Sequence, residues 1–376
     1  MTIRKVWIRS YRTPLPEAWP SAEGPVTERV GSILLLEEEG GWVGRGETAP
    51  WPGFGLETHA SSVAALRGAA DRLVGLPREA YLEAAADLPR LAPVAASPCA
   101  RHAIDLALHD LAAQHANLSV ARLLGGPDAL AEVPINAAIP RLSPERTARA
   151  AMAAVTSGAG TIKLKVGGGS LGEDVARVRA VREVAGPAVR IRVDANQAWS
   201  ESEASQALAE LRRYDIEFCE QPVAADAIDA LARIRADSGV PIAADEAVRD
   251  LAAARRILAA GAADVLIVKP MALGGLQAAR SVAALAEERG AAVVVTSLLE
   301  SDIGRTGALH LAASLGPGRY AHGVGSGGWT LDGSRRETSY LGGKARVPTE
   351  PGLGASLPTP FGSAAELIGV LVEEGA

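Results

Sequence analysis

The sequence predicts an α/β protein, a parallel βα barrel preceded by a smaller α+β unit. Three observations carry this. First, short apolar runs ending on charged residues recur through the middle of the chain: TIKLKVG with Lys163 and Lys165, RIRVDAN with Asp194, EFCEQPV with Glu220, PIAADEA with Asp245 and VLIVKP with Lys269. Lys165 to Asp194 is 29 residues, and steps of 26, 25 and 24 follow, about one βα unit each. Second, an alanine-rich segment with helical periodicity follows each run. Third, the first 130 or so residues lack this alternation and read as antiparallel strands, then helices. A chain of 376 residues has room for both parts.

Taken in order, VWIRSYRT and SILLLEEEGGWVGRGET alternate like antiparallel strands, with Gly40-Gly41 as a turn. A helix is expected from about Glu57. A second is expected from about Ser97 to Leu124, started by Ser97-Pro98 and stopped by Gly125-Gly126-Pro127, with Ile104, Leu108 and Leu111 as its apolar stripe. From VPINAAI onward strand, polar tip and helix alternate. The strands are VPINAAI, TIKLKV, RIRVDA, FCEQP, PIAADE, VLIVKP, VVVTSLLE and YAHGVG, eight in all. Helices are expected at 171–185, 201–213, 250–260 and 275–289. Repeats of this length close as a parallel barrel. An open doubly wound sheet would spread the tips along an edge, and no G-x-G-x-x-G turn is present to hold a dinucleotide. The expected divisions are 1–130, an α+β cap; 131–344, the barrel; and 345–376, a Pro/Gly-rich tail packing back on the cap.

Composition narrows the partners. A net charge of −6 and the lack of a patch interleaving basic and aromatic residues argue against nucleic acid. No uncharged apolar stretch approaches a membrane span, and MTIRKVWIRSYRTPL has no signal-peptide core. Cys99 and Cys219 make neither a disulfide framework nor a zinc site, which fits a reducing cytoplasm. A small-molecule substrate is the expected partner.

Side chains at the C-terminal ends of barrel strands converge on one face. Asp194, Glu220 and Asp245 would repel one another there unless a cation lay between them. Oxygen ligands alone suit a hard ion, Mg²⁺ above all. Lys163 and Lys165 are two apart on one strand and point to the same side. Beside each other and a divalent cation, their pKa is expected to fall towards that of a general base. Lys269 sits about four strands onward, roughly across the barrel. Such parts suit removal of a proton α to a carboxylate, through an enediolate.

In this order and spacing, K-x-K, D-x-N, E-Q-P, D-E and K-P resemble the muconate-lactonising-enzyme subgroup of the enolase superfamily. The resemblance covers nearly the whole chain. It implies a modified TIM barrel, (β/α)₇β, under an α+β cap completed by the C-terminal tail, often in homo-oligomers. Carried over, it makes Asp194, Glu220 and Asp245 the Mg²⁺ ligands, with Mn²⁺ as a substitute. Lys165 and Lys269 become the lysines facing substrate, Lys163 their support, and Asn196 and Glu246 residues behind the ligands.

Further segments are similar to o-succinylbenzoate synthases. These are GRGETAPWPGFGLET (44–58), SPCARHAIDLALHDL, VPINAAI, SLLESDIG (297–304) and HGVGSG (322–327). Asp302 and Ser326 depart from the pattern, and Asp302 is expected to alter the substrate pocket. This likeness implies a lyase of menaquinone biosynthesis that dehydrates 2-succinyl-6-hydroxy-2,4-cyclohexadiene-1-carboxylate to 2-succinylbenzoate. Lys165 would move the proton and Lys269 would stabilise the ring by a cation–π contact. Trp51 and Phe54 would form a lid, and Ser297 and Glu300 would face the site. His322 is expected to serve the turn. The alternatives within the subgroup are an N-acylamino acid racemase, a dipeptide epimerase (disfavoured by the lack of Asp-x-Asp at 322–332) and a muconate-type cycloisomerase.

Overall fold

The computed structural model describes residues 1–21, 24–325, 342–354 and 369–373. The N-terminal domain opens with an antiparallel sheet of β1 (Ile3–Ser21), β2 (Gly24–Glu38) and β3 (Val43–Thr48). Gly40 and Gly41 make the β2–β3 turn with φ of 98° and 86°, a region that only glycine enters without penalty. The domain's helices are α1 (His59–Leu73), α2 (Tyr81–Asp87), α3 (Pro98–His115) and α4 (Val120–Gly125). Thr58 caps α1 by accepting from the Ser61 amide. The single helix expected over 97–124 is two. Asn117, at φ 53°, ends the first, and Ser119 caps the second by accepting from the Arg122 amide. Gly44 and Gly46 let β3 lie directly on α3, because a Cβ at either would overlap the carbonyl oxygens of Ala107 and Ala103.

The second half alternates strand and helix. Its strands are β4 (Glu132–Pro134), β5 (Ala137–Ile139), β6 (Thr161–Lys165), β7 (Arg190–Asp194), β8 (Ile216–Glu220), β9 (Ile242–Ala244), β10 (Val265–Val268) and β11 (Ala292–Val295). Between and after them run α5 (Pro144–Thr156), α6 (Leu171–Ala185), α7 (Glu201–Leu211), α8 (Ile228–Ser238), α9 (Leu251–Ala259), α10 (Pro270–Leu273), α11 (Leu276–Glu288) and α12 (Asp302–Ser314). Capping boxes open α6 (Ser170 with Glu173) and α7 (Ser200 with Glu203).

Strands β5 to β11 form one curled parallel sheet in chain order. Two expected strands differ from the sequence pattern. VPINAAI splits in two. Its first part, β4, pairs antiparallel with β12 (Lys344–Arg346), and only Ala137–Ile139 enters the curled sheet. YAHGVG forms isolated bridges in place of a strand, His322 to Ile135 and Gly323 to Thr296. Those bridges join the two edges of the sheet, since the His322 amide donates to Pro134 O (2.7 Å) and the Gly323 amide to Val295 O (2.8 Å).

Apolar side chains fill three places: the layer between the curled sheet and its helices, the N-terminal domain between sheet and α1–α3, and the sheet's own interior around Phe218, Val265, Ile267 and Val294. At the C-terminus, β13 (Gly369–Glu373) pairs antiparallel with β1. Between the halves, Asp105 of α3 accepts from the Leu276 amide (2.6 Å) and so caps α11. Among the described residues no helix is long and apolar enough to cross a membrane.

Candidate active site

Strand register builds the site. Lys165 pairs with Asp194 across β6–β7, and Asp194 with Glu220 across β7–β8, so the three lie in one row at the strand ends. Asp245 follows β9 and Lys269 follows β10. Asp194, Glu220 and Asp245 are 0%, 1% and 4% exposed, so none relies on bulk water for its charge. All five line one cavity of about 170 Å³ with Lys163, Asn196, Glu246, Trp51, Phe54 and Ser297.

Lysines hold the carboxylates. Lys163 Nζ lies 2.6 Å from Glu220 Oε1 and 2.8 Å from Asp194 Oδ2. Lys165 Nζ donates to Asp194 Oδ2 (2.7 Å) and to Asn196 Oδ1, and Lys269 Nζ donates to Asp245 Oδ1. The Asn196 amide donates to Asp194 Oδ1 (3.0 Å), while its side-chain Nδ2 donates to Glu246 Oε1 (3.1 Å). Asn196 thus links Lys165, Asp194 and Glu246, at a backbone φ of 44°.

The electrostatics follow from burial and these pairs. Burial alone would raise Asp194, but the Lys163 and Lys165 ammoniums hold it well below the carboxylate range. Burial and the adjacent Asp194 charge push Glu220 up to about 7. Burial works against the Lys163 ammonium, but Asp194, Glu220 and Asp245 together hold it well above the usual lysine value. Carboxylates on two sides of Lys163 thus act opposite to the lowering expected beside a divalent cation. Lys163 is built to stay charged.

Among the described residues, no three carboxylate, histidine or cysteine side chains already converge as a ligand set; ammonium groups lie between them. The donor chemistry nevertheless fits a hard cation. Four buried carboxylates (Asp194, Glu220, Asp245 and Glu246) face three ammoniums, and Glu246 Oε2 is buried with no hydrogen-bond partner.

Two family models match the chain. Residues 146–359 match the family model described as "Enolase C-terminal domain-like". Residues 5–125 match "Mandelate racemase / muconate lactonizing enzyme, N-terminal domain". The chain belongs to the enolase superfamily. Within it, the matches place this enzyme in the muconate-lactonising-enzyme subgroup. The chain is 33% identical to the hydrophobic dipeptide epimerase of Enterococcus faecalis over 84% of this chain and 88% of that one. It is 43% identical to the o-succinylbenzoate synthase of Thermobifida fusca over 51% of this chain and 59% of that one. The solved structure of the E. faecalis V583 dipeptide epimerase complexed with Mg and the dipeptide L-Leu-L-Tyr superimposes with a TM-score of 0.84. It is 29% identical and covers 94% of this superfamily member and 99% of its own chain.

Two residues of this superfamily enzyme, Glu300 and Asp302, depart from their expected places, and His322 does not. Glu300 does not face the cavity. It turns into the interface between the halves, where its Oε2 accepts from the Leu298 amide and burial raises its carboxyl to about 7. The cause is local: Leu299 sits at φ 58°, and the chain turns before Glu300. Asp302 is buried at the start of α12 and is not a cavity-lining residue, contrary to its expected effect on the pocket. His322 is buried, with Nδ1 accepting from the Val295 amide (2.9 Å), a structural bond beside the sheet closure. Ser326 and most of 322–332 lie outside the described residues.

Two further residues, Gln221 and Arg29, hold the site in place. Gln221 uses Oε1 to accept from the amides of Asp245 (2.9 Å) and Ala247 (3.2 Å), fixing the turn that carries Asp245. Its place in E-Q-P, next to Glu220, was the available signal. Arg29, in β2, ties loops at the cavity's edge, and nothing in ERVGS marks it.

Proposed function

We propose that this enzyme is a Mg²⁺-dependent o-succinylbenzoate synthase. It would remove water from 2-succinyl-6-hydroxy-2,4-cyclohexadiene-1-carboxylate to give 2-succinylbenzoate. The observation that carries the reading is the make-up of the cavity. Lys165 and Lys269 stand four strands apart in it, beside the carboxylates. Trp51, Phe54, Ile139, Leu298 and Leu299 give the same cavity apolar walls. Apart from the four carboxylates at the strand ends, no described lining residue is acidic. A free dipeptide ammonium would find no separate anionic partner there and would be costly to bury. A succinyl arm has methylenes for the apolar wall and oxygens for Ser297 and for Thr296, whose Oγ1 is buried without a partner.

In this reading Asp194, Glu220 and Asp245 hold Mg²⁺, which when bound would neutralise charge developing on the substrate carboxylate. Lys165, placed by Asp194 and Asn196, accepts at Nζ the proton from the carbon α to that carboxylate. It then returns the proton to the departing hydroxide, so the C–O bond breaks, water leaves and the ring becomes aromatic. Lys163, held charged, keeps Asp194 ionised and bonds to Glu220. Lys269 faces the ring from the opposite side. Its Nζ already lies 4.5 Å from the Phe54 ring centroid, so an ammonium here accepts a π face. Residues 1–130 together with β13 are assigned to the cap, and 131–344 to the catalytic barrel. The step belongs to menaquinone biosynthesis in the cytoplasm.

Two observations favour a second reading, a racemase or epimerase. Lysines at both sides of one cavity suit two-base proton exchange, and the likeness to a dipeptide epimerase spans most of the chain. The test is a comparison of kcat/KM with Mg²⁺ present. One arm follows aromatic product from the cyclohexadiene acid; the other follows solvent-deuterium incorporation into N-succinylamino acids and dipeptides. The dehydration is expected to exceed the exchange at least tenfold. The reverse ratio selects the racemase or epimerase.

A further inference from the structure

The apolar lining of the cavity comes from segments in different halves of the molecule. One is the lid after β3, with Trp51 and Phe54; the other is the turn after β11, with Leu298 and Leu299. One side chain bonds to both. Arg29, in β2, is 5% exposed. Its Nη2 donates to Ala49 O (2.5 Å), at the base of the lid, and to Leu298 O (3.4 Å), while Nε donates to Leu299 O (3.0 Å). Its guanidinium carbon stands 5.5 Å from the Trp51 ring centroid.

Burying a guanidinium is unfavourable unless its N–H groups are satisfied. Here carbonyl oxygens satisfy them, which requires those carbonyls to stay in place. A planar fork holds separated acceptors from two nitrogens at a fixed spacing; an ammonium presents all its donors from one atom on a flexible stem. Leu299 also needs holding. Its φ of 58° lies in the left-handed region, unfavourable for a branched side chain, and Arg29 binds the carbonyl of that residue. The other end of the lid is fixed separately: Glu57 Oε1 accepts from Ser97 Oγ (2.6 Å) and the Cys99 amide (2.8 Å). Arg29 therefore sets how the lid meets the β11 turn, while the ring of carboxylates and lysines is held by bonds of its own.

We infer that Arg29 is a specificity-determining positioning residue, seating lid and turn together so that the substrate's arm is gripped. The inference rests on the dehydratase reading above, with a succinyl arm against the apolar lining. It separates the two ends of the substrate: Arg29 serves the arm and leaves recognition of the ring carboxylate unchanged.

Calorimetric titration tests it, with Mg²⁺ present, using 2-succinylbenzoate and benzoate, which lacks the arm. Wild-type enzyme is expected to bind 2-succinylbenzoate at least tenfold tighter than benzoate. Arg29→Met, which keeps the aliphatic stem, is expected to reduce that ratio about tenfold, with benzoate affinity unchanged. Arg29→Lys is expected to behave as Arg29→Met does, and it serves as the second variant should the first misfold. A wild-type ratio that survives in either variant overturns the role of Arg29, as does a parallel loss of both ligands. A wild-type protein that holds 2-succinylbenzoate no tighter than benzoate contradicts the dehydratase reading, and the arm subsite with it.

Discussion

Lys163 and Lys165 sit two residues apart on the same strand yet are given different work by their neighbours. Lys163 is bonded to two carboxylates and stays an ammonium; Lys165 shares Asp194 with it and takes a neutral amide, Asn196, as its other partner. Lys165→Ala is expected to lower turnover by about 10²–10⁴-fold. Mn²⁺ affinity, read by electron paramagnetic resonance, should stay within a few-fold of wild type. Loss of metal binding in that variant would mean that Lys165 organises the site instead of reacting in it. Glu300 provides a pH-dependent prediction away from the chemistry. Its carboxyl titrates near 4.5 when free and at about 7 in the fold, because burial favours the neutral form. Between those values the unfolded chain releases the proton and the folded one keeps it, so stability falls as pH rises from about 4.5 to about 7 and levels off above. Glu300→Gln should flatten that fall in thermal-unfolding midpoints measured across the window. An unchanged slope would show that Glu300 is ionised in the folded protein.

At the scale of elements, the strand tips were legible because a charged residue ends β6, β7 and β8 and directly follows β9 and β10, each after an apolar run. What holds the tips was not legible. Gln221 works through an amide that bonds across to the next loop, and its hydrogen bonds are a property of the assembled turn. Gln221→Leu is expected to weaken Mn²⁺ affinity by about 10–100-fold through misplacement of Asp245, with rescue in Gln221→Glu, which keeps the acceptor oxygen. Affinity unchanged in the leucine variant would show that the Asp245 turn holds itself. The helix break at Asn117 and the split of VPINAAI were missed for a related reason. Both depend on partners far along the chain: Gly352, whose carbonyl accepts from the Val120 amide, and β12, which takes β4. Glu300 was misassigned because the left-handed Leu299 turns the chain just before it, which its place in SLLESDIG does not show.

Across the whole molecule, the two halves are joined where the site needs them joined. Asp105 caps α11 from the N-terminal domain, Glu47 accepts from the Ser301 and Gly304 amides (2.9 and 2.8 Å), and Arg29 spans lid and turn. The parallel barrel beneath a smaller domain was readable from spacing alone, whereas these cross-links come from residues whose partners lie more than 170 positions away. Metal should matter to the molecule as a unit. Free Mg²⁺ at 100 times its Kd should stabilise the folded state by about 2.7 kcal/mol, so chelation should lower the unfolding midpoint as well as stop turnover. An unchanged midpoint on chelation would leave no cation bound to the folded state. The most direct test of the central claim is aromatic product formation from the cyclohexadiene acid at saturating Mg²⁺, by wild-type enzyme and Lys165→Ala in parallel. The account predicts 2-succinylbenzoate from the wild type and almost none from the variant; no product from the wild type, or equal rates from both, would contradict it.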